Sequence, residues 1–435
     1  QEFEGEWRNR KARRSGGPEY EPLYTMADAD AAIKLLAPCD YDQRITLCDG
    51  IDIRFTDVGH LLGSAAIEMW ITEGDISKKI VFSGDVGNLD QPIIKDPKKV
   101  TEADYILIES TYGDRVHGDV RPDYVGEFTR ILKETFDRGG NVVVPSFAVG
   151  RTQELLYFIR EIKEKNLLPD YPNFEVYVDS PLAVEATHVF KQNMVECYDE
   201  ETKALVERGI NPIDFPGVKL SVTSEESKNI NFDMTPKVII SAAGMCDAGR
   251  IRHHLKHNLW REECSVVFAG YQAEGTLGRL LQDGAPAVKI FGEEIDVKAH
   301  IETWDGISGH ADRDGLLTWA AAFEQKPKYV FVVHGNDESC ESLTDALNTQ
   351  LGLTAKAPYS GSEFDLIKGV WIKETEPVPV EAETQATRKA TGVYTRLVDA
   401  GQMLMDVIAR NQGGANQDLT RFTEQILALC EKWSR

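Results

Sequence analysis

The chain of 435 residues has no run of about 18 consecutive apolar residues, and so no segment fit to cross a bilayer as a helix. It has no Cys-x-x-Cys pair. Its seven cysteines (Cys39, Cys48, Cys197, Cys246, Cys264, Cys340, Cys430) are scattered and odd in number. That excludes a closed disulfide framework and a zinc knuckle, and reads as reduced thiols of the cytoplasm. The opening residues Gln1-Glu2-Phe3-Glu4-Gly5 lack the basic stretch and apolar core of a signal peptide. Positive charge is short too: 48 Lys and Arg against 71 Asp and Glu leave a formal charge of −23. Such a chain repels polyanions at long range, which argues against a protein that coats nucleic acid. A nuclease whose local site carries cations and a few arginines stays compatible with it. What is present, 42% hydrophobic and 27% charged residues, is ordinary for a globular protein, and the length allows about three domains.

The first 120 or so residues read as sheet. Thr25 and Asp28 stand at capping-box spacing before a short helix through Ala27, Ala31, Ile33, Leu35 and Leu36, stopped by Pro38. Ile45–Leu47 and Ile51–Phe55 flank Asp49-Gly50, a strong hairpin signal, and Ala65–Ile71 and Ile80–Phe82 flank a polar turn over Thr72–Lys79. From about residue 120 helix and strand alternate. Val125, Phe128, Ile131, Leu132 and Phe136 have helical spacing ended by Gly139-Gly140, then Val142–Val144 reads as strand and Leu155–Ile162 as helix. Val176–Val178, Val238–Ile240 and Val266–Ala269 continue the strands, which together predict a parallel, doubly wound sheet. A further strand is expected at Tyr329–Val333. A linker is expected over Glu374–Gln385, followed by two helical patterns, Val393 to Ile408 and Leu419 to Trp433.

Three segments end strands with metal-capable side chains: His60 within Asp57–Ala65, Asp85 within Phe82–Gly87, and His334 within Val332–Asn336. Imidazole nitrogen and carboxylate oxygen suit Zn²⁺ or Mn²⁺, and a carboxylate can bridge two such ions. Each alone reads more simply as a hydrogen-bonded loop residue; together they point to a centre. Two other segments suit acid–base work. Glu109 closes the apolar run Ile106-Leu107-Ile108, where a simple core would not want a carboxylate. In Ile307-Ser308-Gly309-His310-Ala311-Asp312, a hydroxyl, an imidazole and backbone N–H groups suit a phosphate. If Glu109 contacts His310, it fixes the tautomer and raises the pKa, leaving an imidazolium able to protonate a leaving alkoxide. Arg250, Arg252, His253, His254, Lys256 and His257 form a basic island on one predicted helix, either phosphate-facing or merely solvated.

The ordered set Gly59-His60-Leu61-Leu62-Gly63-Ser64-Ala65, Ser83-Gly84-Asp85, Glu109-Ser110-Thr111-Tyr112-Gly113, Ser308-Gly309-His310-Ala311-Asp312 and Val333-His334-Gly335 resembles the β-CASP branch of the metallo-β-lactamase superfamily, which includes ribonuclease J and the nuclease of pre-mRNA 3′-end cleavage. Pro145–Arg151, Asp179–Ala183, Ser241–Met245 and Tyr271–Arg279 match as well, and the likeness covers about residues 5 to 372. It implies an α/β fold: a metallo-β-lactamase αββα sandwich, incomplete at its N-terminus, interrupted by a doubly wound β-CASP domain and followed by a C-terminal helical appendage. The expected division is 1–118 and 301–373 for the lactamase-type domain, 119–300 for the β-CASP domain and 374–435 for linker and tail. It also implies two divalent ions with His60 and His334 as ligands, Asp85 as the bridging carboxylate, and His310 with Glu109 as the acid pair touching phosphate. Ser308, Gly309, Arg151, Gly244, Arg250 and Arg279 become candidate RNA contacts. Glu at 109 and His at 334 go with RNA-acting members of the family.

The family's His-x-His-x-Asp-His motif is absent; none of the nine histidines has that spacing. In the family it precedes the segment resembling Glu6–Lys11, so the expectation is a fragment lacking the first lactamase strands and four ligands. The function expected is a metal-dependent cytoplasmic ribonuclease of RNA processing or decay. The alternative is a catalytically incomplete β-CASP scaffold that binds RNA or a partner. A homodimer through the β-CASP domain or the C-terminal helices is left open, and no membrane association is expected.

Overall fold

A computed structural model describes residues 20–118, 122–304, 308–378 and 416–433, with a few more between 5 and 13 and between 400 and 410. The chain divides into two compact units, Gln1–Thr375 and Glu376–Arg435. The first unit begins with the helix Met26–Ile33, capped by Thr25 and Asp28 in a reciprocal capping box. Leu35 and Leu36, expected inside that helix, lie beyond it: Lys34 closes it and the next two residues form tight turns back to Ala32 and Ile33. A meander follows, β1 (Arg44–Cys48), β2 (Ile51–Asp57), β3 (Ala65–Glu73) and β4 (Ile76–Phe82), all antiparallel neighbours.

The β3–β4 turn is far shorter than the polar stretch Thr72–Lys79 suggested, because Ser77, Lys78 and Lys79 are strand residues. Lys79 faces its cross-strand partner Trp70, lies 4.9 Å from the ring centre and pairs with buried Glu68 at 2.7 Å. Polar residues on a strand with such partners look like a loop in one dimension and are not one in three. β5 (Tyr105–Glu109) then pairs parallel to β4.

Helix–strand alternation carries the chain through β6 (Val142–Pro145), β7 (Glu175–Val178), β8 (Val218–Leu220), β9 (Lys237–Ser241), β10 (Ser265–Phe268), the hairpin β11 (Ala287–Ile290) and β12 (Glu293–Asp296), and β13 (His300–Thr303). Six of these form one sheet in the order β13-β10-β6-β9-β7-β8, every pair parallel. It is doubly wound: Val142, Val144, Val176, Val178 and Ile240 bury against the helices Tyr124–Asp137 and Arg151–Glu164. Val143, Ile239 and Val266 bury against Ile251, Leu255 and Leu281 of the helices on the opposite face. The near-continuous valine and isoleucine runs are what a strand covered on both faces requires.

The chain then returns to the first sheet with β14 (Tyr329–Val333) and β15 (Ala355–Lys356), giving the order β1-β2-β3-β4-β5-β14-β15. One face packs on the helices Arg313–Ala320 and Asp337–Gln350 through Leu316, Trp319, Leu343 and Leu347. Over Tyr105 and Phe331 the other face carries the hairpin β16 (Glu363–Asp365) and β17 (Val370–Lys373), with Phe364 and Trp371. In the second unit the helix Asn416–Trp433 agrees with the second C-terminal pattern. Most of the first pattern and residues 379–385 of the expected linker lie outside the described residues. No helix among the described residues is long and apolar enough to cross a membrane.

Candidate metal centre and acid pair

β4, β5 and β14 are consecutive parallel strands, so their carboxyl ends open on one edge of the sheet. β2 runs the same way, two antiparallel steps from β4. The loops leaving β2, β4 and β14 carry His60, Asp85 and His334, and Glu109 is the last residue of β5, level with Val333. Convergence of these side chains therefore follows from strand order, as in other open α/β sheets whose sites sit at the carboxyl edge.

The distances are short. Asp85 Oδ2 lies 3.8 Å from His60 Nε2 and Asp85 Oδ1 lies 3.4 Å from His334 Nδ1. The rings of His60 and His310 are 4.3 Å apart between centres, and those of His310 and His334 are 6.3 Å apart. Two sets of donors cluster within 4.8 Å, His60–Asp85–His310 and Asp85–Glu109–His334, and Asp85 belongs to both. Asp85 thus offers one oxygen to each of two imidazoles. A nitrogen-and-carboxylate set of this kind fits Zn²⁺ or Mn²⁺.

Orientation is set by the backbone. His60 Nδ1 is 2.9 Å from the carbonyl oxygen of Gly309, which can only accept, so Nδ1 carries the proton and Nε2 keeps its lone pair toward Asp85. Burial holds this imidazole below its usual range, against the carbonyl's opposite pull. His334 adopts a left-handed backbone, φ 58°, held by Ser110 N–H donating to its carbonyl. A Cβ on the following Gly335 would fall 2.4 Å from Ser110 Oγ, so only glycine lets the two loops meet there.

Glu109 is 2% exposed and fully partnered: Oε1 accepts from Val86 N–H at 2.7 Å and from His310 Nδ1 at 3.1 Å, and Oε2 from Thr111 N–H at 3.1 Å. Burial raises its carboxyl, but the His310 hydrogen bond and charge outweigh that and leave it below its ordinary value. For His310 burial pulls the imidazole down, and Glu109 raises it more, so it sits above its ordinary value. With Nδ1 committed to Glu109, Nε2 of His310 is free to work. Sequence reasoning overlooked Thr111 Oγ1, 3.2 Å from His334 Nδ1, and Tyr112, edge-on to His310 at 5.9 Å. Both lie in the Glu109–Gly113 segment, yet nothing in the sequence says which way they face.

The remaining expected contacts divide. Gly309 packs against His60, where a Cβ would come within 3.0 Å of the ring, and Ser308 Oγ accepts from His310 N–H at 3.2 Å. Arg151 pairs with Glu154 and borders a cavity of about 640 Å³ that also touches Asn88, Ser308, Asp312 and Phe158. None of the five clustered residues lines that cavity. Gly244 follows β9, packed on Phe147, and Arg279 pairs with Asp283 at 2.8 Å.

Arg250 departs from the expectation of an RNA contact. Its guanidinium turns inward to Asp179 at 2.7 Å and to the carbonyls of Ser221 and Val222. His254 is fully buried, with Nε2 2.6 Å from the same carboxylate. The basic island is in part a counter-charge for one buried aspartate, which the linear sequence, with Asp179 and Arg250 71 positions apart, could not reveal.

Residues 152–281 match the Beta-Casp domain family, and residues 294–358 match the family described as Zn-dependent metallo-hydrolase RNA specificity domain. Among relatives, "Ribonuclease TTHA0252" of Thermus thermophilus is 37% identical over 323 residues, 74% of this chain and 71% of that protein. An "RNase J-like protein" of Methanocaldococcus jannaschii is 30% identical over 328 residues, 74% of this chain and 72% of its own length. "Transcription termination factor FttA" of Methanosarcina mazei is 29% identical over 337 residues; there the match takes in 75% of this chain but 51% of the relative, about half its length. Strand order, the clustered carboxylates and imidazoles, and these matches agree: the chain belongs to the β-CASP branch of the metallo-β-lactamase superfamily, a family of divalent-metal nucleases.

Proposed function

We propose that this chain hydrolyses RNA phosphodiesters by a two-metal mechanism, with the lactamase-type part (1–118 and 301–373) and the β-CASP part (119–300) as walls of the RNA cleft. The observation that carries this reading is Asp85 with one oxygen toward His60 and the other toward His334, beside a Glu109–His310 pair. His60, Asp85 and His334 would supply part of the ligand set for two divalent ions, Zn²⁺ or Mn²⁺, and such ions would neutralise the phosphodiester and lower the pKa of water. The protein's own groups do the rest. Glu109 holds the proton on His310 Nδ1 and keeps the ring cationic; as a water that has lost a proton to solvent bonds through its oxygen to phosphorus and the P–O bond breaks, Nε2 delivers its proton to the departing oxygen. An acid so placed contributes roughly 10²–10⁴-fold. Ser308 Oγ and the backbone N–H of His310 fix the loop beneath the phosphate.

Metal analysis after loading with Zn²⁺ or Mn²⁺, coupled to cleavage of a labelled RNA and a DNA of the same sequence, tests the proposal. Metal uptake that falls in His60→Ala and Asp85→Ala, with RNA cut and DNA spared, is the expected result. The lack of a His-x-His-x-Asp-His motif motivates a second reading, a scaffold. A chain that holds RNA, takes up no metal and cuts nothing would establish that one instead.

A further inference from the structure

Gln91 is 7% exposed and sits on the loop that carries Asp85, where it meets two loops that are remote in sequence. Its Nε2 is 3.2 Å from the carbonyl oxygen of Gly59, 3.3 Å from that of Asn88 and 3.0 Å from that of Gly309. Those carbonyls belong to the loops bearing His60, Asp85 and His310. The amide can sit only one way round, since turning it would press Oε1 against three carbonyl oxygens. The loops come this close because they meet at glycine: a Cβ on Gly87 would fall 2.0 Å from Gly59 O, and one on Gly309 would fall 3.0 Å from the His60 ring. The Gly309 carbonyl that Gln91 grips also accepts from Asn88 N–H at 3.0 Å and from His60 Nδ1 at 2.9 Å.

We infer that Gln91 is a positioning residue: together with Asn88 N–H it holds the Gly309 carbonyl in place, and so maintains the tautomer and aim of His60 without touching the ring. Gln91 Oε1 is buried without a hydrogen-bond partner. A methionine of similar length would fill the space but could not donate to these carbonyls, so space-filling alone does not account for a glutamine here. The inference rests on the reading of His60 as a metal ligand for its consequence, though not for its geometry.

Two variants of the full chain test it. Gln91→Glu turns a carboxylate oxygen toward three carbonyls; Gln91→Met keeps the length and removes the donor, and carries the test if the first does not fold. In ¹⁵N-histidine-labelled protein the expected change is loss of a single Nδ1–H tautomer at His60. Zn²⁺ affinity by competition titration should weaken 10–100-fold, the usual effect of removing a partner behind a ligand. The loss should all but vanish in a His60→Ala background and persist in His334→Ala, because coupled residues are non-additive and independent ones are not. An unchanged His60 tautomer in Gln91→Met, or the same affinity loss with His60 already removed, overturns the inference. Wild-type chain that takes up no Zn²⁺ sinks the metal reading of the site instead, and the tautomer measurement still decides what Gln91 does.

Discussion

His310 and Glu109 show how one contact assigns chemistry to two residue types that are common in any protein. Their 3.1 Å hydrogen bond favours the ionised carboxylate and the protonated imidazole, and on the proposed reading it makes Glu109 an anchor and His310 a proton donor. His310→Ala should therefore cost roughly 10²–10⁴-fold in turnover, the worth of a placed acid. Metal content should stay near wild type, because His60, Asp85 and His334 are untouched. Parallel metal analysis and single-turnover cleavage check this; wild-type rates in the mutant would remove the acid role. The pairing of Glu109 with His310 was legible as a conditional from residue types. That His334 would need a left-handed backbone, or that Thr111 would face it, was not, because both depend on how closely two loops approach.

At the scale of elements, β7 is tied to the helix Ile251–Asn258 by charge rather than by packing alone. Asp179 follows the strand, fully buried, and faces His254 from the helix and Arg250 from the helix start. Burial works to raise its carboxyl; hydrogen bonds from His254, Ser227 and Arg250 more than offset that and take it from an ordinary 3.8 to about 2. A carboxyl depressed on folding stabilises above its unfolded pKa and loses that contribution as pH falls through the folded one. Its share, on the order of 2–3 kcal/mol, should be complete above about pH 5 and disappear between about pH 4 and pH 2. Urea midpoints across that range should fall more steeply for wild type than for Asp179→Asn. The variant should itself be less stable at neutral pH by roughly 3–5 kcal/mol, the cost of removing one partner of a buried ion pair and leaving Arg250 without its carboxylate. Parallel pH curves for the two proteins would remove the assignment. The strands and helices here were readable from valine runs and helical spacing. Their tie was not, since a basic stretch in sequence looks the same whether it faces solvent or a buried carboxylate.

Over the whole molecule a formal charge of −23 opposes a polyanionic substrate, so any RNA affinity must be built locally. Arg151, Arg250 and Arg279 all have carboxylate partners, so on the proposed reading bound cations would supply positive charge that these arginines do not. Removing divalent metal with a chelator should therefore weaken RNA binding several-fold as well as stop cleavage. The loss should be larger at low salt, where repulsion from the rest of the surface is least screened. Fluorescence anisotropy with and without chelator measures it, and equal affinities would count against this account. Residue types and their periodicity were enough to specify a parallel, doubly wound sheet, a hairpin-rich first sheet and five short segments with metal or acid–base capability. Those properties are local, written in side-chain chemistry and in the two- and 3.6-residue repeats of strand and helix. Which oxygen of Asp85 meets which histidine, why Arg250 turns inward, and how Gln91 joins three loops were decided only when distant strands paired, because such contacts arise between segments that the chain itself holds far apart.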